Sequence, residues 1–493
     1  MISLELAWKA SMTATDYRQL YIGGGWHDPV TSATIDVHSA TTEDLIGSVP
    51  RGAEGDVDAA VAAARSAFDA PDGWPTWHPK QRGDVLEQFA AELESRGAEM
   101  AARVSMQNGM PIWLAQQFEA GFPPLLLRYY TDLMNSAPAE EERAGMFGGT
   151  TLISKHPVGV VGAIVPWNVP QGITFLKIAP ALAAGCTVVL KPAEETVLDA
   201  FLMAEAAAAA GLPPGVLNVV PGGRDIGAYL VSHPGVDKVS FTGSTLAGRA
   251  IAEICGRMLR PVTLELGGKS AAIILDDADM SAAVEAFFGA TLLNNGQICW
   301  LSTRVLAPRS RYGEIVDAIT DLARSLTIGD PLDPATKVGP LVSSRQRDRV
   351  ESYIAQGLQE GRMTTGGSRP TGFDRGWFIE PTVFADVDND AVVSREEIFG
   401  PVLSVIPYGD EDEAVAIAND SKYGLGGTVW SSDQERAAGV ARRVQSGTIG
   451  VNHYLNDPVA PFGGTKESGM GRELGPEGLH AFQVYKTIYM PPA

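Results

Sequence analysis

The sequence predicts an α/β protein built around an open parallel sheet, and three observations predict it. The chain has 493 residues, beyond the size at which one hydrophobic core keeps growing, so it divides into two or three packed units. From about residue 157, short β-branched runs alternate with alanine-rich helical stretches, the pattern of βαβ units. Each run is followed at once by a polar or glycine-containing loop, and loops at the carboxyl ends of parallel strands form the ligand crevice of such sheets.

The elements follow in chain order. In "GDVDAAVAAARSAFDA" Val57, Val61, Ala64 and Phe68 recur at helical spacing, as do Val85, Phe89 and Leu93 in "QRGDVLEQFAAELESRG", so both are amphipathic helices. The polar, glycine-containing stretch "SAPAEEERAGMFGGT" (136–150) reads as a domain linker. Five strands come next: "VVGAIV" (160–165), "TVVLK" (187–191), "VLNVV" (216–220), "KVSFT" (238–242) and "VTLEL" (262–266). Their loops, "PWN", "PAEE", "PGG", "GST" and "GGK", point to one place. A second α/β stretch runs from about 268 to 440, with strand-like "AAIIL" and "GPVLSVIPY" and helical "YGEIVDAITDLARSL".

Composition excludes several function classes. With 45% hydrophobic, 8% aromatic and 20% charged residues, the chain is an ordinary soluble globular protein. Its net charge of -21 opposes nucleic-acid phosphates and anionic membrane surfaces. No segment reaches the ~20 apolar residues of a membrane span. Three cysteines cannot build a disulfide framework, and an odd number fits a reducing compartment. The amino terminus lacks the features of a signal peptide, so a cytoplasmic protein is expected. Either Met1 or Met12 is the natural start, with folded-looking sequence beginning at Met12.

The chemistry centres on "NNGQICWLST". A free cysteine is most often a small core residue, yet Cys299 sits in polar, turn-like surroundings where its sulfur can face a cleft. Cys186 and Cys255 lie in apolar runs and read as packing residues. A thiol with a reference pKa of about 8.5 needs a helper to react at neutral pH. The seven histidines are scattered, so the candidate helper is Glu265 at the end of a strand; a solvated strand terminus is its plain alternative. Gly243 and Ser244 stand between strand and helix, where amide N–H groups and the helix dipole attract phosphate. Lys191 and Glu194 follow another strand and can reach ribose hydroxyls, or simply suit a basic strand end and an acidic helix start. No metal-ligand cluster stands out.

Together, "PWNVP", "KPAEET", "FTGS", "LELGGKS", "GQIC", "EEIFGPV" and "PFGGTKESGMGRE" occur in the order and spacing of one family. From "YIGGGW" to "YKTIY" the chain resembles the NAD(P)-dependent aldehyde dehydrogenase superfamily. The resemblance implies a Rossmann-type NAD-binding domain (1–136 and 156–267) and an α/β catalytic domain (268–470). It also implies a small bridging β oligomerisation element (137–155 and 471–493), giving a homodimer or homotetramer.

By the same resemblance Cys299 is the nucleophile, Asn168 holds the oxyanion, Glu265 activates the hydrolytic water, and Lys177 and Glu473 assist proton relay. Val165, Trp167, Lys191, Glu194, Gly243, Ser244, Gln346, Glu397 and Phe399 contact the cofactor. Arg349 stands where the family often has lysine. Glu194 near the 2′-hydroxyl favours NAD over NADP. A carboxylate at Glu265 favours hydrolysis over transfer to coenzyme A; a CoA-acylating or esterase-type enzyme, or a non-catalytic cofactor-binding module, are the alternatives.

The implied substrate pocket is lined by Val169, Gly172, Ile173, Leu176, Trp300, Tyr454, Leu455, Asn456 and Phe462. It is mostly apolar and lacks a cation to grip a carboxylate, so an uncharged aromatic, terpenoid or aliphatic aldehyde is expected rather than a semialdehyde acid. Gly172 is expected to widen the entrance. Trp300 can instead narrow the pocket, and Asn456 with Asp457 can recognise a polar substituent.

Overall fold

The computed structural model describes residues 15–138 and 140–491; the candidate starts Met1 and Met12 lie outside them. All five predicted strands are present, in an eight-stranded sheet. Val160–Ile164 lies between Thr187–Lys191 and Lys238–Thr242, all parallel, with Leu217–Val219 and Val262–Glu265 outside them. The chain therefore winds first to one side of Val160–Ile164 and then to the other. The crevice opened by that reversal lies beyond the carboxyl ends of Val160–Ile164 and Lys238–Thr242, where a doubly wound sheet binds its ligand.

Antiparallel strands close the two edges of this sheet. Leu20–Ile22 and Gly25–His27 cover one, and Gly469–Met470 pairs with Val262–Glu265 at the other. The last pairing brings a distant segment home to the cofactor-type layer. Residues 471–482 stay there, with helix Gly475–His480 against helix Pro170–Ala184. Of the expected carboxyl-terminal oligomerisation segment, only Gln483–Met490 enters the small sheet.

A second, seven-stranded sheet has Ala271–Ile274 near its centre, flanked by Arg304–Pro308 and Gly427–Trp430. The third sheet joins Glu140–Ala144, Thr150–Pro157 and Gln483–Met490, all antiparallel. The predicted linker at 136–150 is thus mostly a hairpin arm. Its polar composition reflects exposed strand faces rather than loop structure. Among the described residues no helix is long and apolar enough to cross a membrane, and no group of three or more His, Cys, Asp or Glu could hold a metal.

Helix Pro170–Ala184 runs through the middle of the protein. Pro170 starts it, Gly185 ends it in the left-handed conformation at φ 97°, and all fifteen residues are buried. A helix that is apolar all round is stable only inside a core, so its one lysine, Lys177, is carried into the interior.

The loop before Cys299 is held by three other loops, at residues 109, 168 and 339–340. Asn294 (φ 51°), Asn295 (φ 60°) and Gly296 (φ 75°) take the left-handed conformation in succession, at a cost of roughly 1–2 kcal/mol for each non-glycine residue. Side-chain amides offset that cost. Asn295 Nδ2 donates to the Gly109 and Pro340 carbonyls, both at 2.9 Å, and its Oδ1 accepts from Gly339 N at 2.7 Å. Asn294 Nδ2 donates to the Asn168 carbonyl at 3.0 Å. A Cβ on Gly296 would stand 2.1 Å from the Gly400 carbonyl oxygen, so only glycine fits.

Asn295→Ala keeps the unfavourable φ and removes three buried hydrogen bonds, each worth about 1 kcal/mol. It is expected to cost about 3 kcal/mol and to lower Tm by several degrees, with a parallel loss of turnover. Unchanged melting in differential scanning calorimetry would contradict this view of the loop.

Candidate active site

A cavity of about 440 Å³ has Cys299, Asn168, Glu265, Thr242 and Glu473 in its lining. Five separate stretches of chain deliver these groups. Asn168 follows the strand Val160–Ile164, Thr242 and Glu265 end adjacent strands and sit in register, and Glu473 arrives after Gly469–Met470. Cys299 comes last, on the pinned loop.

Asn168 is buried, and its Nδ2 donates to the Gln297 carbonyl at 2.9 Å. An amide nitrogen carries two hydrogens, so one remains to meet an oxyanion in the cavity. The Gln297 side chain is fixed in turn, because its Oε1 accepts from Val342 N at 3.1 Å. Asn168 and Cys299 therefore share one rigid frame.

Glu265 is buried, and neither carboxyl oxygen has a hydrogen-bond partner among the described residues. A Cβ on Gly463 would come within 2.7 Å of its Oε1, so the carboxyl packs directly on a glycine. Burial pushes its pKa well above the usual carboxylate range, and the neighbouring Glu473 adds to that, against Lys177 and Arg472. The solvated strand terminus weighed as the alternative is therefore not what forms. Burial likewise raises the pKa of the half-buried Cys299 thiol, with Glu397 and Glu265 contributing.

Lys177 is fully buried; its Nζ donates to Glu473 Oε1 at 2.5 Å and to Thr242 Oγ1 at 2.7 Å. Glu473 Oε2 is left without a partner. The two expected relay residues thus form one ion pair next to Glu265.

The residues expected to contact a cofactor gather on the crevice side. Trp167 and Phe399 meet edge to face, with ring centroids 5.3 Å apart. Val165 N bonds to the Lys191 carbonyl at 3.2 Å, and Lys191 Nζ donates to the Pro192 and Gly222 carbonyls at 2.9 and 2.6 Å. Burial lowers the Lys191 pKa to about 8. Glu194 lies 3.6 Å from Arg51, which also pairs with Asp225 at 2.6 Å. Ser244 caps the thirteen-residue helix Thr245–Arg257, and a Cβ on Gly243 would press on the Phe241 ring at 2.5 Å.

Across the crevice, Glu397 Oε1 accepts from Gly268 N at 3.0 Å, and burial pushes its carboxyl up to about 7. Gln346 donates to the Ile398 and Phe399 carbonyls and Arg349 to the Glu397 carbonyl. These two side chains hold the Glu397–Phe399 segment from behind. Phe399 itself has φ 62°, so its placement depends on that support.

All nine expected pocket residues line the cavity. Trp300 stacks on Tyr454 with centroids 4.4 Å apart, forming a wall. Gly172 does not widen the entrance: a Cβ there would meet Val169 Cγ1 at 2.8 Å and the Phe118 carbonyl oxygen at 3.0 Å. The space is already filled by the π-helical turn Gln116–Gly121. Asp457 does not line the cavity and accepts from Val459 N in its own turn. Sequence reasoning missed Trp113, Leu114, Gln117, Phe118, Phe122, Thr242, Glu285, Phe288, Gly289, Leu293 and Ile298, which complete the lining. The only signal was an unusual density of aromatic residues in "PIWLAQQFEAGFPP".

The model of the aldehyde dehydrogenase family matches residues 26–488. A geranial dehydrogenase of Castellaniella defragrans is 56% identical over 475 residues, covering 96% of this chain and 99% of that one. The crystal structure of a Mycobacterium tuberculosis aldehyde dehydrogenase complexed with NAD+ superimposes with a TM-score of 0.95 at 48% identity, covering 97% and 99% of the two chains. An aldehyde dehydrogenase C mutant from Pseudomonas syringae, complexed with NAD+ and octanal, gives a TM-score of 0.92 at 39% identity over 96% of each chain. The chain belongs to the aldehyde dehydrogenase family.

Proposed function

We propose that the protein oxidises an uncharged hydrophobic aldehyde to its carboxylic acid, with NAD as hydride acceptor and Cys299 as nucleophile. One observation carries this reading: a thiol, a free amide hydrogen and an unpartnered carboxyl share the lining of one largely apolar cavity. The relatives point the same way, one being named for a terpenoid aldehyde and one crystallised with octanal.

The crevice residues fit a dinucleotide. The amino terminus of helix Thr245–Arg257, with Gly243 flat against Phe241, suits a pyrophosphate. Lys191 and Glu194 would hold the adenosine ribose, and Glu397 the nicotinamide ribose. Glu194 and Asp225 outnumber Arg51 at the ribose end, which disfavours a 2′-phosphate and supports NAD. NAD bound along this crevice supplies the hydride acceptor.

The remaining work falls to the chain's own groups. Cys299 Sγ bonds to the aldehyde carbon while its proton passes to a carboxylate, and the oxygen becomes an oxyanion facing Asn168 Nδ2 and the Cys299 N–H. Once the thiohemiacetal has lost its hydride, Cys299 carries a thioester. Glu265 then takes a proton from water as the water oxygen adds to the thioester carbon, and collapse releases the acid and the thiolate. The Lys177–Glu473 pair accepts the proton from Glu265 and clears it.

We also propose self-association through the three-stranded sheet. Tyr485, Tyr489, Met146 and Phe147 on it are 62%, 82%, 98% and 102% exposed, an apolar edge that a soluble chain ordinarily covers.

Cys299→Ala is expected to lower NADH production from octanal and geranial by about 10⁴-fold or more, read by absorbance beside the wild type. Turnover confined to small semialdehyde acids would overturn the substrate reading, and acyl-CoA formed on adding coenzyme A would overturn the hydrolytic one. Because Glu265 works as the ionised base and its pKa is raised, deacylation should climb as pH rises through that pKa. Glu265→Gln should flatten the profile and slow deacylation about 10²–10⁴-fold, measured by single-turnover quench.

A further inference from the structure

Two glycines line the substrate cavity, and they stand there for different reasons. Gly172 is demanded by packing, as the close approach of Val169 and Phe118 shows. Gly289 is not. A Cβ there would meet none of the described heavy atoms within 4 Å, and its backbone is not left-handed. It lies inside helix Met280–Thr291, where glycine is less stable than alanine. Neither local conformation nor packing accounts for it.

What the residue faces is the cavity. Glu285, Gly289 and Leu293 recur at intervals of four, which places them along one side of the helix and its continuation, and all three line the cavity. A side chain at 289 would project from the middle of that row.

The surrounding rings are pinned, so they do not fold into the gap. Trp113 Nε1 donates to the Thr336 carbonyl at 3.1 Å. Lys337 Nζ lies 5.2 Å from the Trp113 ring centroid and 5.5 Å from that of Phe288, and pairs with Glu285 at 2.8 Å. One cation thus ties two aromatic walls and the helix together. Lys337 is also paired by Glu285, so the cavity mouth offers no free positive charge there to an anionic substrate.

We propose that Gly289 is a specificity-determining residue, its missing side chain being the space that receives the branch or ring of a bulky uncharged aldehyde. The inference rests on the proposed aldehyde oxidation in this cavity and adds which position sets the size limit. Selection acts on the far part of the substrate, away from the reacting carbon. An added methyl or isobutyl group at 289 competes with substrate for volume, and a filled apolar pocket discriminates by about tenfold or more per group of that size.

The test compares wild type, Gly289→Ala and Gly289→Leu on propanal, octanal and geranial, with Tm measured for each. The expected result is a kcat/KM ratio of geranial to propanal that falls several-fold in the alanine variant and at least tenfold in the leucine variant, chiefly through KM. The Tm of Gly289→Ala should rise by about 1 °C, since helix propensity improves and nothing is displaced. A lowered Tm in Gly289→Ala would show a structural glycine and overturn the proposal. An active wild type with an unchanged ratio in Gly289→Leu would overturn it alone, whereas a wild type inactive on all three aldehydes would overturn the functional reading and this proposal with it.

Discussion

The left-handed turn Asn294–Asn295–Gly296 is the constraint on which the rest of the site depends. Three successive residues at positive φ do not persist in an isolated chain. They persist here because Asn295 bonds to the neighbouring Gly109, Gly339 and Pro340. Asn294 and Gln297 meanwhile tie the same loop to Asn168. The segment that presents the sulfur is therefore fixed to the loop that presents the oxyanion donor. Relative movement of Cys299 and Asn168 is resisted, where a nucleophile and an oxyanion donor must keep their spacing.

The second organising fact is that burial raises the pKa of the reactive groups. Cys299, Glu265 and Glu397 all have raised pKa values, with burial the largest cause in each case. For a carboxyl, a folded pKa above the unfolded one means stability that is present below the unfolded pKa and declines as pH rises through the folded value. For Glu397 that window runs from its ordinary value of 4.5 to about 7. The cofactor-free protein thus spends stability to keep its reactive groups out of water. The same burial that raises these pKa values strengthens a hydrogen bond from Asn168 to a developing oxyanion. An apolar aldehyde entering the cavity preserves that condition, and a charged one does not.

How much of this was legible in the sequence differed by element. The parallel strands were readable because a fully buried strand is a short β-branched run, as in "TVVLK", and their loops betrayed the crevice. Cys299, Glu265 and Asn168 were singled out through ordered motifs, and the structure gathers them around one cavity. The arm at 140–157 was not, because its exposed strands carry "EEER" and look like a linker. Trp113 and Phe288 were missed because an aromatic residue at helical spacing reads as core, and both are in fact packed on core and cavity alike. Gly172 was misread for a related reason: a glycine in sequence looks like empty space, and only three-dimensional neighbours show whether another residue already occupies it. Gly289 is the converse case.

The account stands or falls on a covalent acyl group at Cys299. Glu265→Gln, mixed with NAD and octanal and quenched in acid, should show by intact-mass and peptide mass spectrometry an octanoyl adduct on the peptide bearing Cys299. An unmodified Cys299 peptide from enzyme that has produced NADH in that first turnover would contradict it.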